Sequence, residues 1–291
     1  MAIGKNINLF LMDGVAGGRI KCTLANWTGI AYKIPRTMLD RAKSITYLDQ
    51  TGVYFLFGYS DDEGEPLVYI GQAGIRKNGK GILCRLDEHR RETKEYYWTD
   101  AIAFTTSNNS FGPTEISYLE NRFCNMAIEA NRYTVKNSND PNPGNVTEEK
   151  ESELEEFISY AKLVMGALGY KIFEPLVAPD NKISTEEISD DEPLLYFKTK
   201  KVEAKGKRTS EGFVVFAGSN IVPELAKSCP ENAIRLRGKY AEKIEKDKLK
   251  IDLLFTSPSA AASFICGYSV SGNNVWKDET GRTLKEIEAT G

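Results

Sequence analysis

An α+β protein is what this sequence predicts, on three observations. Strand-like and helix-like segments succeed one another as β, β, α, β, α between Gly52 and Ala127; a β-rich stretch precedes them; and a second mixed unit follows an acidic, polar interval. Taken in order, residues 7 to 35 read as the strands Ile7–Met12, Arg19–Thr23 and Gly29–Ile34, with Gly14, Gly17 and Gly18 as turn formers, then a short helix from Pro35 or Arg36 to Ala42. The strands Gly52–Phe57 and Leu67–Gly71 flank Asp61, Asp62, Glu63, Gly64, Glu65 and Pro66, a run of turn formers, and so predict a hairpin. A helix from about Ile82 to Lys94 follows, then a strand around Trp98–Thr105, then a helix opening at Pro113, because proline suits a first turn. Ile116, Leu119, Phe123, Met126 and Ala127 keep helical spacing before the loop-forming run Asn137–Asn145.

Glu148–Leu168 is an amphipathic helix with Leu154, Phe157, Ile158, Ala161, Val164, Met165 and Leu168 on its apolar side. Residues 179–210 are polar and charged, apart from the short apolar run Leu194–Phe197, and read as a linker or exposed arm. A second unit begins near Gly212 with the strand Phe213–Phe216, a basic helix Glu231–Asp247 and a strand Leu249–Phe255. Ser257 and Pro258 make a strong helix start, an N-cap followed by proline at N1, for an alanine-rich helix that Gly267 can close, and a turn Asp278–Gly281 comes near the end. The chain thus divides into a β-rich extension (1–48), a central domain (49–145), a helix with a charged linker (146–210) and a small α+β C-terminal domain (211–291).

A length of 291 residues suits one large domain or two modest ones. Hydrophobic residues at 41 % and charged residues at 27 % are ordinary for globular proteins, and no apolar run approaches the ~20 residues of a membrane span. Met1–Gly14 lacks the basic and apolar regions of a signal peptide, so a soluble, cytoplasmic protein is expected. Five cysteines, no neighbouring pair closer than 37 positions, give neither a disulfide ladder nor a zinc knuckle. His89 is the only histidine, so a catalytic triad or a His-rich metal site can exist only around it.

The net charge of −3 argues against a nucleic-acid partner, but the acid is segregated. Asp140–Pro193 holds 14 acidic and 4 basic residues, which leaves a basic surplus elsewhere. Gly71–Lys94 carries Arg76, Lys77, Lys80, Arg85, Arg90, Arg91 and Lys94 against three acids, and Tyr196–Ser210 carries six basic residues against one. Both runs could follow a phosphate backbone; both could equally be solvated faces.

Five polar residues stand out. Tyr54 and Tyr69 sit in the hairpin strands, and a turn centred on Asp61 and Asp62 would set them opposite one another on one face. Arg85 and His89, four apart, share one helix face and combine a bidentate anion donor with a proton acceptor. Glu120 lies at the border of a buried stripe, where a single carboxylate suffices for Mg²⁺ held otherwise by water and phosphate. The structural alternatives are an aromatic sheet face, an exposed helix face and an edge glutamate. Gly74–Gly81, G-I-R-K-N-G-K-G, imitates a phosphate loop but lacks the final Ser or Thr, so it reads as a flexible basic loop rather than an NTP site.

The set G-V-Y (Gly52–Tyr54), Y-I-G (Tyr69–Gly71), R-L-x-x-H (Arg85–His89) and Y-L-E (Tyr118–Glu120) resembles the GIY-YIG endonuclease superfamily over about residues 50 to 140. Val replaces Ile in the first triplet, and the loop before the arginine is longer than in minimal members. The resemblance implies a small three-stranded antiparallel sheet flanked by helices, and metal-dependent phosphodiester hydrolysis leaving 5′-phosphate and 3′-hydroxyl ends, with DNA ahead of RNA as substrate. It implies Tyr54 as activator of the attacking water, Tyr69 as its orienter, Arg85 and His89 on the scissile phosphate, and Glu120 as ligand of Mg²⁺ or Mn²⁺. A late asparagine completes such sites; Asn137 is the candidate, with Asn125 and Asn131 competing. Arg76, Lys77, Lys80, Arg90 and Arg91 would bind the nucleic acid.

F-T-S-P-S-A-A-A (Phe255–Ala262), G-Y-S (Gly267–Ser269) and N-N-V-W-K (Asn273–Lys277) look like a small uncharacterised domain of bacterial proteins, sometimes found behind such a module and able to take a protein partner. The segment Asn26–Gly29 is similar to leaders in such proteins. The other expectation is a non-catalytic nucleic-acid-binding or adaptor protein that keeps the nuclease fold.

Overall fold

The computed structural model describes residues 4–61, 64–74, 81–91, 96–137, 141–177 and 192–290. The chain is mixed α+β and separates into two compact units with the boundary between Pro175 and Leu176. Among the described residues no helix is long and apolar enough to cross a membrane.

The first unit is built on β1 (Ile7–Leu11), β2 (Ile20–Leu24), β3 (Gly29–Pro35), β4 (Gly52–Tyr59), β5 (Pro66–Ala73), α1 (Ile82–Arg91), β6 (Trp98–Thr106), α2 (Pro113–Ala130), β7 (Thr134–Val135) and α3 (Glu148–Ala167), with 3₁₀ turns at Arg36–Ser44 and Thr46–Asp49. The sheet has seven strands in the order β1-β2-β3-β6-β4-β5-β7, not three. The antiparallel set β6-β4-β5 forms its centre, but β3 pairs with β6 from Gly29↔Thr106 to Pro35↔Asp100, and β7 joins β5 in parallel. The strands between Ile7 and Pro35 are therefore part of this sheet rather than a separate extension. Without β3, the apolar strand β6 would present an open ladder edge.

Period-two alternation assigns the two faces. Val53, Phe55, Phe57, Val68, Ile70 and Phe104 pack against α2 and α3, through Leu119, Phe123, Phe157 and Ala161 among others. Tyr54, Leu56, Ala101 and Ala103 face the 3₁₀ turns and α1, meeting Leu39, Leu48, Ile82, Leu83 and Leu86. β4 is consequently buried along both faces, which is why it reads as a continuous apolar run. α3 contributes Leu154, Phe157, Ile158, Ala161, Val164 and Met165 to this core, so it belongs with the first unit rather than with a linker.

The second unit contains β8 (Leu195–Lys198), β9 (Glu203–Thr209), β10 (Gly212–Val215), α4 (Glu231–Lys239), β11 (Ile244–Glu245), β12 (Lys248–Leu249), β13 (Leu253–Phe255), α5 (Pro258–Cys266), α6 (Gly272–Val275) and α7 (Leu284–Thr290). Its main sheet is antiparallel in the order β13-β10-β9-β8. Two expectations change. Leu195–Lys198 and Glu203–Thr209 are strands, because Leu195, Phe197, Ala204 and Gly206 turn inward while the alternating lysines turn out. The basic helix stops at Lys239, and Lys246 and Asp247, both at positive φ, turn β11 into β12. α5 starts as expected, with Ser257 Oγ accepting the Ala260 N–H at 3.1 Å, and ends at Gly267 with φ 75°. The fully buried Trp276 packs against Phe213 at 4.7 Å between centroids and donates its indole N–H to the Pro258 carbonyl at 3.0 Å.

Candidate active site

Four elements supply the side chains. In the β4–β5 ladder Tyr54 faces Gly71 and Leu56 faces Tyr69, so the tyrosines are diagonal neighbours, not directly opposed. The turn is centred one residue later than Asp61 and Asp62 suggest: the Ser60 N–H donates to the Glu65 carbonyl, and the Glu65 N–H donates to Ser60 Oγ, each at 2.9 Å. That slip moves the register by two, so both rings stay on one face, with centroids 6.2 Å apart.

Both motif glycines are explained by close approach. A Cβ at Gly71 would lie 2.4 Å from Tyr54 Oη, so only glycine lets that phenol lie across β5. A Cβ at Gly52 would lie 2.2 Å from the Phe104 carbonyl oxygen, where β6 passes.

α1 buries Ile82, Leu83 and Leu86, which turns Arg85 and His89 toward the tyrosines. Tyr54 Oη and His89 Nε2 are 2.8 Å apart, and the imidazole centroid lies 5.0 Å from the Tyr69 ring. Burial, followed by the neighbouring Tyr69, holds Tyr54 well above the usual phenol range, with Arg85 opposing. Burial and the charge of Glu120 raise Tyr69 as well. Both phenols are therefore protonated at neutral pH. Burial works against the Arg85 charge, but Tyr54, Glu88 and Tyr69 outweigh it and hold the guanidinium above its ordinary range. Arg85 Nη1 donates to Glu88 Oε2 at 3.0 Å.

α2 begins where sequence expects, with Pro113 in the first turn and the Glu115 carboxylate accepting the Gly112 N–H at 3.0 Å. One turn further along, Glu120 Oε2 accepts from Gln72 Nε2 at 2.8 Å, and Ser117 Oγ donates to Gln72 Oε1 at 3.2 Å. Burial raises Glu120, while Gln72 and then Arg85 pull it back. Gln72 and Ser117 belong to none of the motifs in the sequence. The signal was present: Gln72 is a polar residue in phase with Val68 and Ile70 on the apolar face of β5, where an amide needs a partner.

Other candidates are used differently. Asn137 Oδ1 accepts the Ile70 N–H at 3.1 Å and its Nδ2 donates to the Ile70 carbonyl at 2.6 Å. Its amide is thus committed to the strand between Tyr69 and Gly71. Asn125 donates to Asn121, and Asn131 ends α2 in the left-handed region at φ 51°. Asn137→Ala should cost about 1–3 kcal/mol from two lost backbone partners. Calorimetry should then show a melting temperature lower by ~3–8 °C.

Arg90 is bound to Asp40 at 2.8 Å and to Asp87 at 2.5 Å, and Arg91 pairs with the same Asp87. Arg90 thus already has two carboxylate partners, whereas Arg91 is exposed and shares its one acid with Arg90. Arg76, Lys77 and Lys80 lie outside the described residues.

No group of three or more His, Cys, Asp or Glu able to cage a metal occurs among the described residues. Glu120, held by Gln72 on the α2 side of β5, is the carboxylate whose charge reaches the tyrosines, raising both phenols. A single carboxylate matches the way Mg²⁺ is held mainly by water and phosphate oxygens, and does not match a zinc site.

Residues 195–288 match the family described as "Domain of unknown function (DUF4357)", about a third of the chain and wholly within the second unit. That match starts at β8, ahead of the boundary at 211 expected from sequence. No curated protein and no solved structure matches the chain.

Proposed function

We propose that residues 49–145 form a divalent-metal-dependent endonuclease of the GIY-YIG type, hydrolysing phosphodiester bonds in DNA to leave 5′-phosphate and 3′-hydroxyl ends. The observation that carries this reading is the meeting of Tyr54, Tyr69, Arg85 and His89 from β4, β5 and α1, with a 2.8 Å contact between phenol and imidazole, and with Glu120 of α2 near enough for its charge to raise both phenols.

The Tyr54 phenol, kept protonated by burial, donates to His89 Nε2. As water attacks phosphorus, the phenol oxygen takes the water's proton while passing its own to the imidazole, so no free phenolate has to form. Arg85, which stays charged, neutralises the added charge of the pentacoordinate transition state. Tyr69 orients the water or a phosphate oxygen. Bound at Glu120, Mg²⁺ or Mn²⁺ would supply charge neutralisation at the phosphate and at the departing 3′ oxygen. Gln72 aims the Glu120 carboxylate.

Supercoiled plasmid incubated with Mg²⁺ or Mn²⁺ should be nicked or linearised, chelator should stop it, and Tyr54→Phe should slow it at least ~100-fold. Wild-type protein that cuts neither DNA nor RNA with either metal ends this reading. The relay also fixes a pH profile. Because burial holds Tyr54 well above the ordinary phenol range, kcat/KM should show no further climb between pH ~8 and ~10. A phenol of ordinary acidity acting as its own base would instead add a climb toward pH ~10.

A further inference from the structure

We propose that the outer face of the C-terminal sheet is a second nucleic-acid surface, which holds a single strand with its phosphates on Lys198 and Lys205 and a base against Tyr196. This goes beyond the hydrolase reading, because it concerns the other unit and uses none of the residues of that site. It arises from the Tyr196–Ser210 basic run, which the hydrolase reading leaves unused.

The strand pattern sorts that run. Leu195, Phe197, Ala204 and Gly206 point to the core, so Tyr196, Lys198, Lys205 and Lys207 share the opposite face. Tyr196 stands opposite Lys205 in the ladder. The ammonium groups of Lys198 and Lys205 hang over its ring, 5.4 and 5.9 Å from the centroid. Lys198 is 62 % exposed, and its nearest carboxylate, Glu203, is itself exposed and 3.8 Å away, a contact worth little in water. Such lysines exchange readily onto phosphates, and in doing so they uncover the aromatic face.

A cavity of about 610 Å³ opens beside the same ring, with Lys198, Asn274 and Lys277 in its wall. Its size is that of small-ligand sites in general. Lys277 is fixed there by paired backbone bonds with Tyr196, at 2.7 and 2.9 Å. Three acids face the region: Glu203 stands opposite Lys198 in the ladder, Glu279 accepts the Tyr196 hydroxyl at 3.2 Å, and Asp278 is committed to Arg282 and Thr280. An aromatic ring edged with lysines, next to a pocket carrying a side-chain amide, offers stacking, phosphate neutralisation and base-edge hydrogen bonding together. An unstacked strand needs all three, whereas a duplex hides its base faces and an acidic polypeptide has no use for the ring.

The full-length chain carrying Glu120→Gln, in chelator so that nothing is cut, should be titrated onto a fluorescent 12-nucleotide single strand and onto the matching duplex across a range of KCl. Lys198→Gln with Lys205→Gln should raise Kd for the single strand at least tenfold. It should also flatten the dependence of log K on log salt by about 1.4, two contacts at ~0.7 each. Tyr196→Leu should weaken single-strand binding ~5- to 10-fold with the salt slope unchanged. The proposal is overturned if these variants bind like their parent, if the parent binds neither nucleic acid, if duplex is preferred, or if a polyglutamate peptide binds as well and Tyr196→Leu has no effect. The two proposals fail separately. Loss of binding in the lysine variant of a chain that never cuts supports this surface and removes the hydrolase, while cutting with lysine-independent binding does the reverse.

Discussion

Glu120→Gln should abolish metal-dependent cleavage, by at least ~10³-fold, and at the same time make the protein more stable at neutral pH. Burial raises the Glu120 carboxyl above its ordinary value, which means that the fold favours the protonated form. The stability linked to this group is full below the unfolded value near 4.5 and declines as pH rises through the raised folded value. At pH 7 the charged carboxylate is therefore a cost, and the neutral amide, which can still accept from Gln72, removes it. Calorimetry should show a melting temperature higher by ~2–4 °C at pH 7 and a difference close to zero at pH 4. A variant that still nicks plasmid with Mg²⁺ would remove the metal role from this residue. One that melts earlier at pH 7 would mean that the carboxylate is stabilised, not strained, by its surroundings.

Gly71→Ala tests the other half of the site. A methyl group at this position would sit 2.4 Å from Tyr54 Oη and 2.9 Å from Tyr69 Cε1, and the strand between cannot give way because Asn137 clips Ile70 on both its amide and its carbonyl. The phenol must swing out and lose its 2.8 Å contact with His89. Cleavage should fall at least ~100-fold, and overpacking should cost about 1–3 kcal/mol. The rate effect acts through Tyr54, so Gly71→Ala placed on Tyr54→Phe should lower cleavage no further, while the stability loss persists because the ring itself still collides. Rate losses that simply multiply would show that Gly71 serves the reaction by some other route.

Much of this is legible in the residues. The strand character of β4 and β5 shows in their apolar runs, Pro113 marks the start of α2, and the Ser257–Pro258 cap with Gly267 brackets α5, because each of these signals is local. What escapes is set by distant partners. The turn between β4 and β5 slips by one residue without altering which side chains share a face, so nothing in the alternation reports it. The lysines of β9 conceal a strand whose inward residues are only Ala204 and Gly206, too small to register as an apolar pattern. The positive charge of Arg90 looks available until Asp40, fifty positions away, is folded onto it. The partnership of Gln72 with Glu120 likewise needs the tertiary fold, since the two come from a strand and a helix 48 residues apart.

Tyr54 lies on β4, the strand enclosed on both sides by packed side chains. Amides there can exchange with solvent deuterium only when the whole unit opens, whereas frayed termini exchange through small local fluctuations. On the proposed mechanism, the proton carrier is thus mounted on the last element to breathe. Heating or denaturant should eliminate chemistry and global structure in one transition, without an earlier phase in which the folded protein has already gone silent.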